Sequence, residues 1–134
     1  MLDHVAINVR DIDVAKAFYL NALEPLGYEV FSELDGHVGL EAGGHPDLWL
    51  HQRGEPSGPL HVAFRTDRAA VDAFHAAGIA AGYRDNGPPG IREYATDYYA
   101  AYLLDPDGHN IEAVHRSPET RVDWNWLGAG LVRP

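Results

Sequence analysis

The sequence predicts an α+β fold built from two βαβββ modules, because three features occur in the same order in both halves of the chain. The stretch HVAINV at residues 4–9 returns as HVAFRT at residues 61–66. Each copy precedes a segment with helical spacing of apolar residues, which is followed by a Gly-Tyr pair at residues 27–28 or 82–83. Extended segments separated by turn residues fill the rest of each half. A repeat of this kind indicates two copies of one structural unit.

The first strand of each module is predicted by the alternation of apolar residues with histidine, alanine and polar residues. Val5 and Ile7 share one face of the first copy, and Val62 and Phe64 share one face of the second. This period of two is typical of a half-buried strand. Each copy begins with a histidine on the other face, which is the helix-free face if the apolar residues pack against the helix.

The two helices are predicted from capping residues and from apolar residues spaced by three and four. Asp11 or Asp13 can cap the first helix, which must end before Pro25. Asp67 can cap the second helix, and Gly78 is expected to stop it. Each helix is expected to cover one face of the sheet in its own module.

The remaining strands are predicted from extended segments that lie between turn sequences. In the first half, turns at residues 35–36 and 43–44 separate YEVFSEL, HVGLEA and DLWLHQ. In the second half, a looser segment containing NGPPG precedes YYAAYLL, the turn DPDG and the strand NIEAVH. These patterns predict a single domain, residues 1–134, with module one at 2–53, a linker at 54–59, module two at 60–116 and a C-terminal tail at 117–134.

Composition and charge argue against several classes of function. The chain has 20 acidic and 10 basic residues and a net charge of −10, so nucleic acid and membrane surfaces are not expected partners. It has no cysteine, which excludes disulfides, zinc-thiolate sites and cysteine nucleophiles. The first residues do not form a secretory signal, and no apolar run reaches the length of a membrane span. A soluble, cytoplasmic protein that binds a small molecule is therefore expected.

Three side chains of metal-binding type are expected on the helix-free faces, which must bury each other or enclose a site. His4 and His61 begin equivalent strands, and Glu112 is a carboxylate within the apolar strand NIEAVH. A cation is one of the few partners that keep a buried carboxylate ionised. Two imidazoles and one carboxylate form an open triad suited to Fe²⁺, Mn²⁺, Ni²⁺ or Zn²⁺. The alternative is that the histidines are hydrogen-bonded packing residues and that Glu112 lies at the rim of a sheet.

Three segments resemble the vicinal oxygen chelate superfamily, which includes glyoxalase I, extradiol ring-cleaving dioxygenases and bleomycin resistance proteins. They are DHVAINVRDIDVAKAFY at residues 3–19, LHVAFRT at 60–66 and LLDPDGHNIEAVH at 103–115. The resemblance covers residues 2–116 and implies that the two modules form a U-shaped, partly closed barrel around one divalent metal ion. In that family the ligands lie on the first and last strands of each module. His4, His61 and Glu112 match three of these positions.

The fourth ligand position departs from the family pattern. Alignment of Gly44-His45 with Gly108-His109 sets Trp49 opposite Glu112, and tryptophan cannot bind a metal. The ligand set is therefore incomplete unless His51, two residues further along the same strand face, replaces the missing ligand. A triad of two histidines and one glutamate resembles the set of the extradiol dioxygenases. Trp49 is expected to form an apolar wall for an aromatic or otherwise hydrophobic substrate, with His51 beside it.

Tyrosines near the strand before NIEAVH are candidate catalytic residues. Alternation places Tyr98 and Tyr102 on one face of this strand and Tyr99 on the other. A phenol near a metal site can donate a hydrogen bond to a bound oxygen or act as an acid or base. The alternative is that these tyrosines simply pack against the sheet, as tyrosine often does.

Two functions remain open at the level of the sequence. The first is a metal-dependent dioxygenase, lyase or isomerase that chelates neighbouring oxygens of a small substrate. The second is a metal-free binding protein of the bleomycin resistance type, whose acidic surface sequesters a cationic ligand. A homodimer is expected from the family resemblance and from apolar residues in the tail, where Trp124 and Trp126 can cover a sheet edge or a dimer contact.

Overall fold

The computed structural model describes residues 1–119, so Trp124 and Trp126 lie outside the described residues. Within this range, two helices and eight strands follow one another in the order βαβββ, twice. None of the helices in this range is long and apolar enough to cross a membrane. Module one contains β1 Val5–Asn8, α1 Ile12–Leu23, a 3₁₀ turn at Glu24–Leu26, β2 Glu29–Leu34, β3 His37–Glu41 and β4 Pro46–His51. Module two contains β5 His61–Arg65, α2 Arg68–Ala80, β6 Arg84–Ile91, β7 Tyr99–Leu104 and β8 Asn110–His115.

The strands form two four-stranded sheets with the same topology. The strand order is β1-β4-β3-β2 in module one and β5-β8-β7-β6 in module two. In each sheet the first and last strands of the module pair in parallel, and the other neighbours are antiparallel. The sheets are not closed into a barrel. The prediction of an α+β fold with two βαβββ modules is confirmed.

One hydrophobic core lies between the helices and the sheets. Ile7, Phe18 and Leu50 of module one are fully buried in the same cluster as Phe74 and Ile111 of module two. The apolar alternates of the first strands pack into or against this cluster, as their period of two predicts. The histidines that begin the repeated stretches therefore lie on the helix-free faces, which are available to form a site.

The helices begin where their capping residues predict. Asp11 accepts hydrogen bonds from the backbone N–H groups at residues 13 and 14, and Asp67 accepts one from the N–H at residue 70. The prediction that Gly78 stops the second helix is wrong, because α2 continues to Ala80. Gly78 is required for packing instead: a Cβ there would lie 2.3 Å from Cδ1 of the fully buried Leu103.

Substitution of Gly78 by alanine is expected to destabilise the protein by about 1–2 kcal/mol, although alanine favours a helix by about 1 kcal/mol relative to glycine. The added methyl group must displace Leu103, which has no exposed surface into which it can move. Urea denaturation measures the effect. In a double-mutant cycle with Leu103→Ala, the two losses should be less than additive, and strict additivity would contradict the proposed clash.

The loose segment of module two is an edge strand. NGPPG forms part of β6, whose pairing with β7 shifts register between residues 85 and 87 and again between 87 and 90. Proline lacks a backbone donor and is tolerated in a sheet mainly at an edge or bulge. The last place in the strand order β5-β8-β7-β6 meets this condition. The sequence predicts only a loose extended segment here, because glycine and proline carry no alternation of polarity that would define the bounds of a strand.

A buried carboxylate joins the turn before β8 to α1. Oδ2 of Asp105 accepts a hydrogen bond from the hydroxyl of Tyr19 at 2.8 Å. Its Oδ1 accepts from the backbone N–H groups of Asp107 at 2.9 Å and of His109 at 2.8 Å. Burial, followed by the Asp105 carboxylate, raises the pKa of Tyr19 well above its usual value, so the phenol remains a donor. The hydrogen bonds of Asp105 thus hold the DPDGH turn in one conformation, and this turn leads directly into β8, which carries Glu112.

Candidate functional site

The helix-free face of module two brings together four of the site residues that the sequence predicts. Register sets Glu112 on β8 directly opposite Ala63 on β5 and Tyr102 on β7. Tyr98 precedes β7, on the side of the sheet that Tyr102 shares. His61 begins β5 and lies two residues before Ala63, so it faces the same side. The parallel pairing of β5 with β8 therefore places the imidazole next to the carboxylate.

Glu112 is held by a partner on each of its oxygens. Nε2 of His61 lies 2.8 Å from Oε2, and the hydroxyl of Tyr98 donates to Oε1 at 2.7 Å. The Glu112 side chain is 2% exposed, whereas the His61 side chain is 45% exposed. A carboxylate that is this deeply buried depends on such partners to offset its loss of hydration. The imidazole thus lies between the buried carboxylate and the solvent.

The phenols on this face remain protonated at neutral pH. Burial is the largest cause that raises the pKa of Tyr98, and the Glu112 carboxylate is the next. The same two causes, in the same order, raise the pKa of Tyr102. Both phenols are therefore hydrogen-bond donors rather than bases. Tyr99 lies on the opposite face, as alternation predicts, where its hydroxyl donates to Asp72 of α2 at 2.6 Å.

Tyr102 packs against Arg92, a residue that the sequence did not predict as part of the site. The guanidinium carbon of Arg92 lies 5.1 Å from the centre of the Tyr102 ring, and its Nη2 donates to the carbonyl of Ala100 at 3.0 Å and to that of Pro88. On β6, a Cβ at Gly87 would meet the Tyr102 ring at 2.8 Å. The Tyr102 ring lies 6.3 Å from the His61 ring, centre to centre. The phenol is consequently fixed beside the imidazole.

The donor atoms of His61 and Glu112 fit a divalent metal ion. Metal bonds of about 2.1 Å to nitrogen and oxygen place two donors at a right angle about 3 Å apart. Nε2 and Oε2 are 2.8 Å apart and are joined by a single hydrogen bond. An ion could replace the shared proton with a displacement of only a few tenths of an ångström, roughly. One nitrogen and one carboxylate oxygen belong to the ligand set of the metals named above.

The third predicted ligand, His4, lies elsewhere in the described chain. Its Nδ1 lies 2.7 Å from Oδ1 of Asp3, and its side chain is 53% exposed. Nε2 of His45 lies 3.4 Å from the other oxygen of Asp3. The hydrogen bond with His4 is the largest cause that lowers the pKa of Asp3. No group of three histidine, aspartate or glutamate side chains in residues 1–119 is placed to hold one ion, so a single chain brings His61 to Glu112 but not His4.

Trp49 and His51 lie together on the helix-free face of module one. Trp49 pairs with Ala6, as Glu112 pairs with Ala63, so the alignment of Trp49 with Glu112 agrees with the register of both sheets. The two side chains line an open groove of about 520 Å³. Burial is the largest cause that lowers the pKa of His51, which favours a neutral imidazole at pH 7. The full lining is His4, Ala6, Leu34, His37, Trp49, His51 and Arg53.

Replacement of Tyr98 by phenylalanine is expected to lower the free energy of unfolding by about 1–3 kcal/mol, because Oε1 of the buried Glu112 loses its donor. Tyr99→Phe is a matched control: it removes the same hydroxyl–carboxylate contact on the opposite, exposed part of the strand, and should cost less than about 1 kcal/mol. Thermal or urea unfolding measures both. Equal losses in the two variants would contradict a special role of Tyr98 at Glu112.

The chain matches a protein family over most of its length. The model of the Glyoxalase/Bleomycin resistance protein/Dioxygenase superfamily matches residues 1–113. Among functionally curated proteins, no sequence matches the chain. The solved structures provide the closer comparisons.

A glyoxalase/bleomycin resistance protein from Albidiferax ferrireducens is 32% identical to the chain, with a TM-score of 0.68 over 86% of this chain and 98% of that one. Lactoylglutathione lyase from Agrobacterium tumefaciens is 23% identical, with a TM-score of 0.68 over 86% and 92% of the two chains. The fosfomycin resistance protein FosX from Mesorhizobium loti is 19% identical, with a TM-score of 0.67 over 88% and 93%. The last two likenesses concern the fold alone.

Proposed function

Because the chain belongs to the Glyoxalase/Bleomycin resistance protein/Dioxygenase superfamily, we propose that it is a divalent-metal-dependent enzyme that acts on a small molecule. The observation that carries the proposal is the contact of 2.8 Å between His61 and the buried carboxylate of Glu112. An exposed imidazole in contact with a buried carboxylate supplies two of the three ligands of an open metal triad. Packing alone gives no reason to bury a carboxylate beside an exposed imidazole.

Each residue of the face has its own task in the proposed site. His61 and Glu112 would hold an ion of the Fe²⁺, Mn²⁺, Ni²⁺ or Zn²⁺ class between Nε2 and Oε2, the two atoms that lie 2.8 Å apart. When bound, such an ion polarises neighbouring oxygens of a substrate and stabilises negative charge on them. Tyr98 holds the other carboxylate oxygen by its hydrogen bond of 2.7 Å and so keeps Oε2 turned toward His61. Tyr102 is a protonated phenol beside His61 and donates a hydrogen bond to the substrate.

A second copy of the chain supplies His4 in the proposed enzyme. The helix-free faces need burial, yet on module one Leu34 is 70% exposed. Module two instead covers part of its own helix-free face with a small cluster that includes Tyr94, Tyr98 and Val114. If module one of one copy faces module two of another, His4 reaches the pair that its own chain does not bring to it. The proposed unit is therefore a homodimer with two composite sites.

The reaction belongs to one of the two kinds expected from the sequence, a lyase or isomerase reaction or a dioxygenation. Structures of the same fold include a lactoylglutathione lyase and a fosfomycin resistance protein. These names span different substrates, so the identity of the metal is the more informative clue: iron favours dioxygenation, whereas zinc, manganese or nickel favours the first kind.

A metal-free protein that captures a cation is the second candidate, and the net charge of −10 favours it. The lining of the groove on module one argues against it. In residues 1–119 this lining includes an arginine and three histidines but no carboxylate side chain, which is unsuitable for a cationic ligand. A thermal-shift screen separates the candidates, because an ion at 100 times its Kd stabilises a one-site protein by about 2.7 kcal/mol. Stabilisation by a cationic antibiotic, with none by any metal, would refute the enzyme.

Mixing two variants that each lack one histidine tests the composite site. His4→Ala and His61→Ala should each bind Mn²⁺ weakly. In a mixed dimer, the intact His61 of one copy and the intact His4 of the other meet in one complete site. An equimolar mixture should then regain about a quarter of the tight wild-type sites, since half of the dimers are mixed and each has one intact site of two. A mixture that binds no better than its components would contradict the composite site, and a monomer in light scattering would contradict the dimer.

A further inference from the structure

The groove on the helix-free face of module one has a charge opposite to that of the rest of the chain. The protein has a net charge of −10, yet within residues 1–119 this groove is lined by the positively charged Arg53, by the imidazoles of His4, His37 and His51, and by no acidic side chain. Asp3, at the outer end beside His4, is already engaged by His4 and His45. A positively charged groove on an anionic protein offers a local site for anionic ligands, which the rest of the surface repels.

Within residues 1–119, Arg53 is oriented by a neighbouring ring and contacts no acidic side chain. Its Nη2 lies 3.5 Å from Nε2 of His37, at the outer limit of a hydrogen bond, in which the guanidinium donates to a neutral imidazole. One of its five N–H groups is used in this way, and the guanidinium is exposed. An arginine whose charge is not neutralised by a carboxylate retains its planar set of donors for a carboxylate, phosphonate or phosphate group.

Three aromatic side chains form one wall beside Arg53. The rings of His37 and His51 pack edge to face with centres 4.7 Å apart, and the rings of Trp49 and His51 are 6.5 Å apart. The Trp49 ring rests on Gly39, where a Cβ would lie only 2.8 Å from it. Such close packing holds the indole in place along the sheet. Leu34, which is 70% exposed, adds an apolar edge.

From these contacts we propose that the groove binds a small organic anion, with its anionic group on Arg53 and its aromatic or apolar body against Trp49 and Leu34. An aromatic carboxylate or phosphonate has both parts. Only the identification of the anion as the substrate rests on the proposed function. If two copies pair as proposed, the groove faces the metal ligands of the partner, and the bound anion is the substrate. Binding to the groove itself requires neither the ion nor the second copy.

The test is an NMR titration of the full chain, as purified and after treatment with a chelator, with benzoate, phenylphosphonate and the neutral analogue benzamide. The readout is the indole N–H signal of Trp49, assigned by its loss in Trp49→Phe. Both anions should shift this signal, and benzamide should bind at least about tenfold more weakly, as expected for the loss of a charged hydrogen bond. Arg53→Gln should weaken binding of benzoate by at least about tenfold and leave binding of benzamide unchanged.

Arg10→Gln is the matched control, because it changes the net charge by the same amount at an arginine whose side chain is 79% exposed and lies next to Asp107. This variant should bind benzoate within about twofold of wild type, since a distant surface charge is screened. Equal binding of benzoate and benzamide, or an equal effect of Arg10→Gln and Arg53→Gln, would overturn the proposal. So would binding of benzoate that requires the metal, because the anion would then be on the ion. A protein that fails to bind any metal but binds benzoate through Arg53 would refute the proposed enzyme and leave the anion groove intact.

Discussion

Replacing Glu112 with glutamine is expected to weaken Mn²⁺ binding by at least about 100-fold while the protein stays folded, because removal of a ligand should exceed the 10- to 100-fold cost of losing a ligand's support. Glutamine has the same shape and keeps an oxygen that can accept from Tyr98, whose hydroxyl donates at 2.7 Å. It loses the negative charge that an ion needs. Because the substitution also removes a buried charge, the free energy of unfolding should change little or rise.

Isothermal titration of Mn²⁺ and urea unfolding, on the same preparation, measure the two effects separately. Glu29→Gln is the control, since it makes the same change on the exposed surface of β2 in the other module. This control should leave both quantities unchanged within error. If Glu112→Gln unfolds the protein, Glu112 is a structural residue that stabilises the sheet; if it binds Mn²⁺ as tightly as wild type, Glu112 is not a ligand.

Asp105→Ala is expected to lower the free energy of unfolding by about 3–5 kcal/mol, the largest loss among the substitutions considered. The substitution removes the acceptor of two buried donors, the hydroxyl of Tyr19 and the N–H of His109, and of the partly buried N–H of Asp107. Each unsatisfied donor costs about 1–3 kcal/mol, although partial relaxation makes the sum smaller. Asp105 itself is 1% exposed, so water does not readily replace the carboxylate.

The effect of Asp105→Ala is measured by urea unfolding, with Tyr19→Phe as its partner in a double-mutant cycle. Tyr19→Phe removes one of the three donors and should cost less than Asp105→Ala, and the double variant should lose less than the sum of the two. Asp35→Ala, at an exposed turn, should change stability by no more than about 0.5 kcal/mol. A loss from Asp105→Ala as small as that from Asp35→Ala would show that the turn before β8 does not depend on this carboxylate.

The fold could be predicted from the sequence wherever one physical signal was sufficient. Alternation in HVAINV and HVAFRT depends on the burial of one strand face, and Asp11 and Asp67 cap helices through local backbone geometry. Gly78 was misinterpreted because the residue that excludes a side chain there, Leu103, is distant in sequence. Strand β6 could be predicted only as a loose extended segment, because pairing with β7, rather than its own composition, determines its conformation.

In the candidate site, too, the sequence predicts the residues that follow from local patterns and not those that depend on distant contacts. The pair of His61 and Glu112 follows from the position of each residue on its strand, together with parallel pairing of the first and last strands of a module. The position of His4 depends on how whole modules are arranged, and no local pattern encodes that arrangement. Arg53 and Arg92 gave no signal, because an arginine at the end of one element reveals nothing about the ring that it contacts on another.

Of the four edge strands, β1, β2, β5 and β6, the two that pair antiparallel with their neighbours, β2 and β6, differ in how readily they could add a foreign strand. Strand β6 has two adjacent prolines, which interrupt its row of backbone donors and so discourage growth of that sheet. Strand β2 has no proline within Glu29–Leu34, and it exposes Val30, Phe31 and Leu34 beside the acidic Glu29. Of these two strands, β2 is therefore the more open to amyloid-like or domain-swapped growth, and its acidic residues oppose such growth. High salt weakens this electrostatic repulsion, so salt should promote growth at β2 and leave β6 blocked.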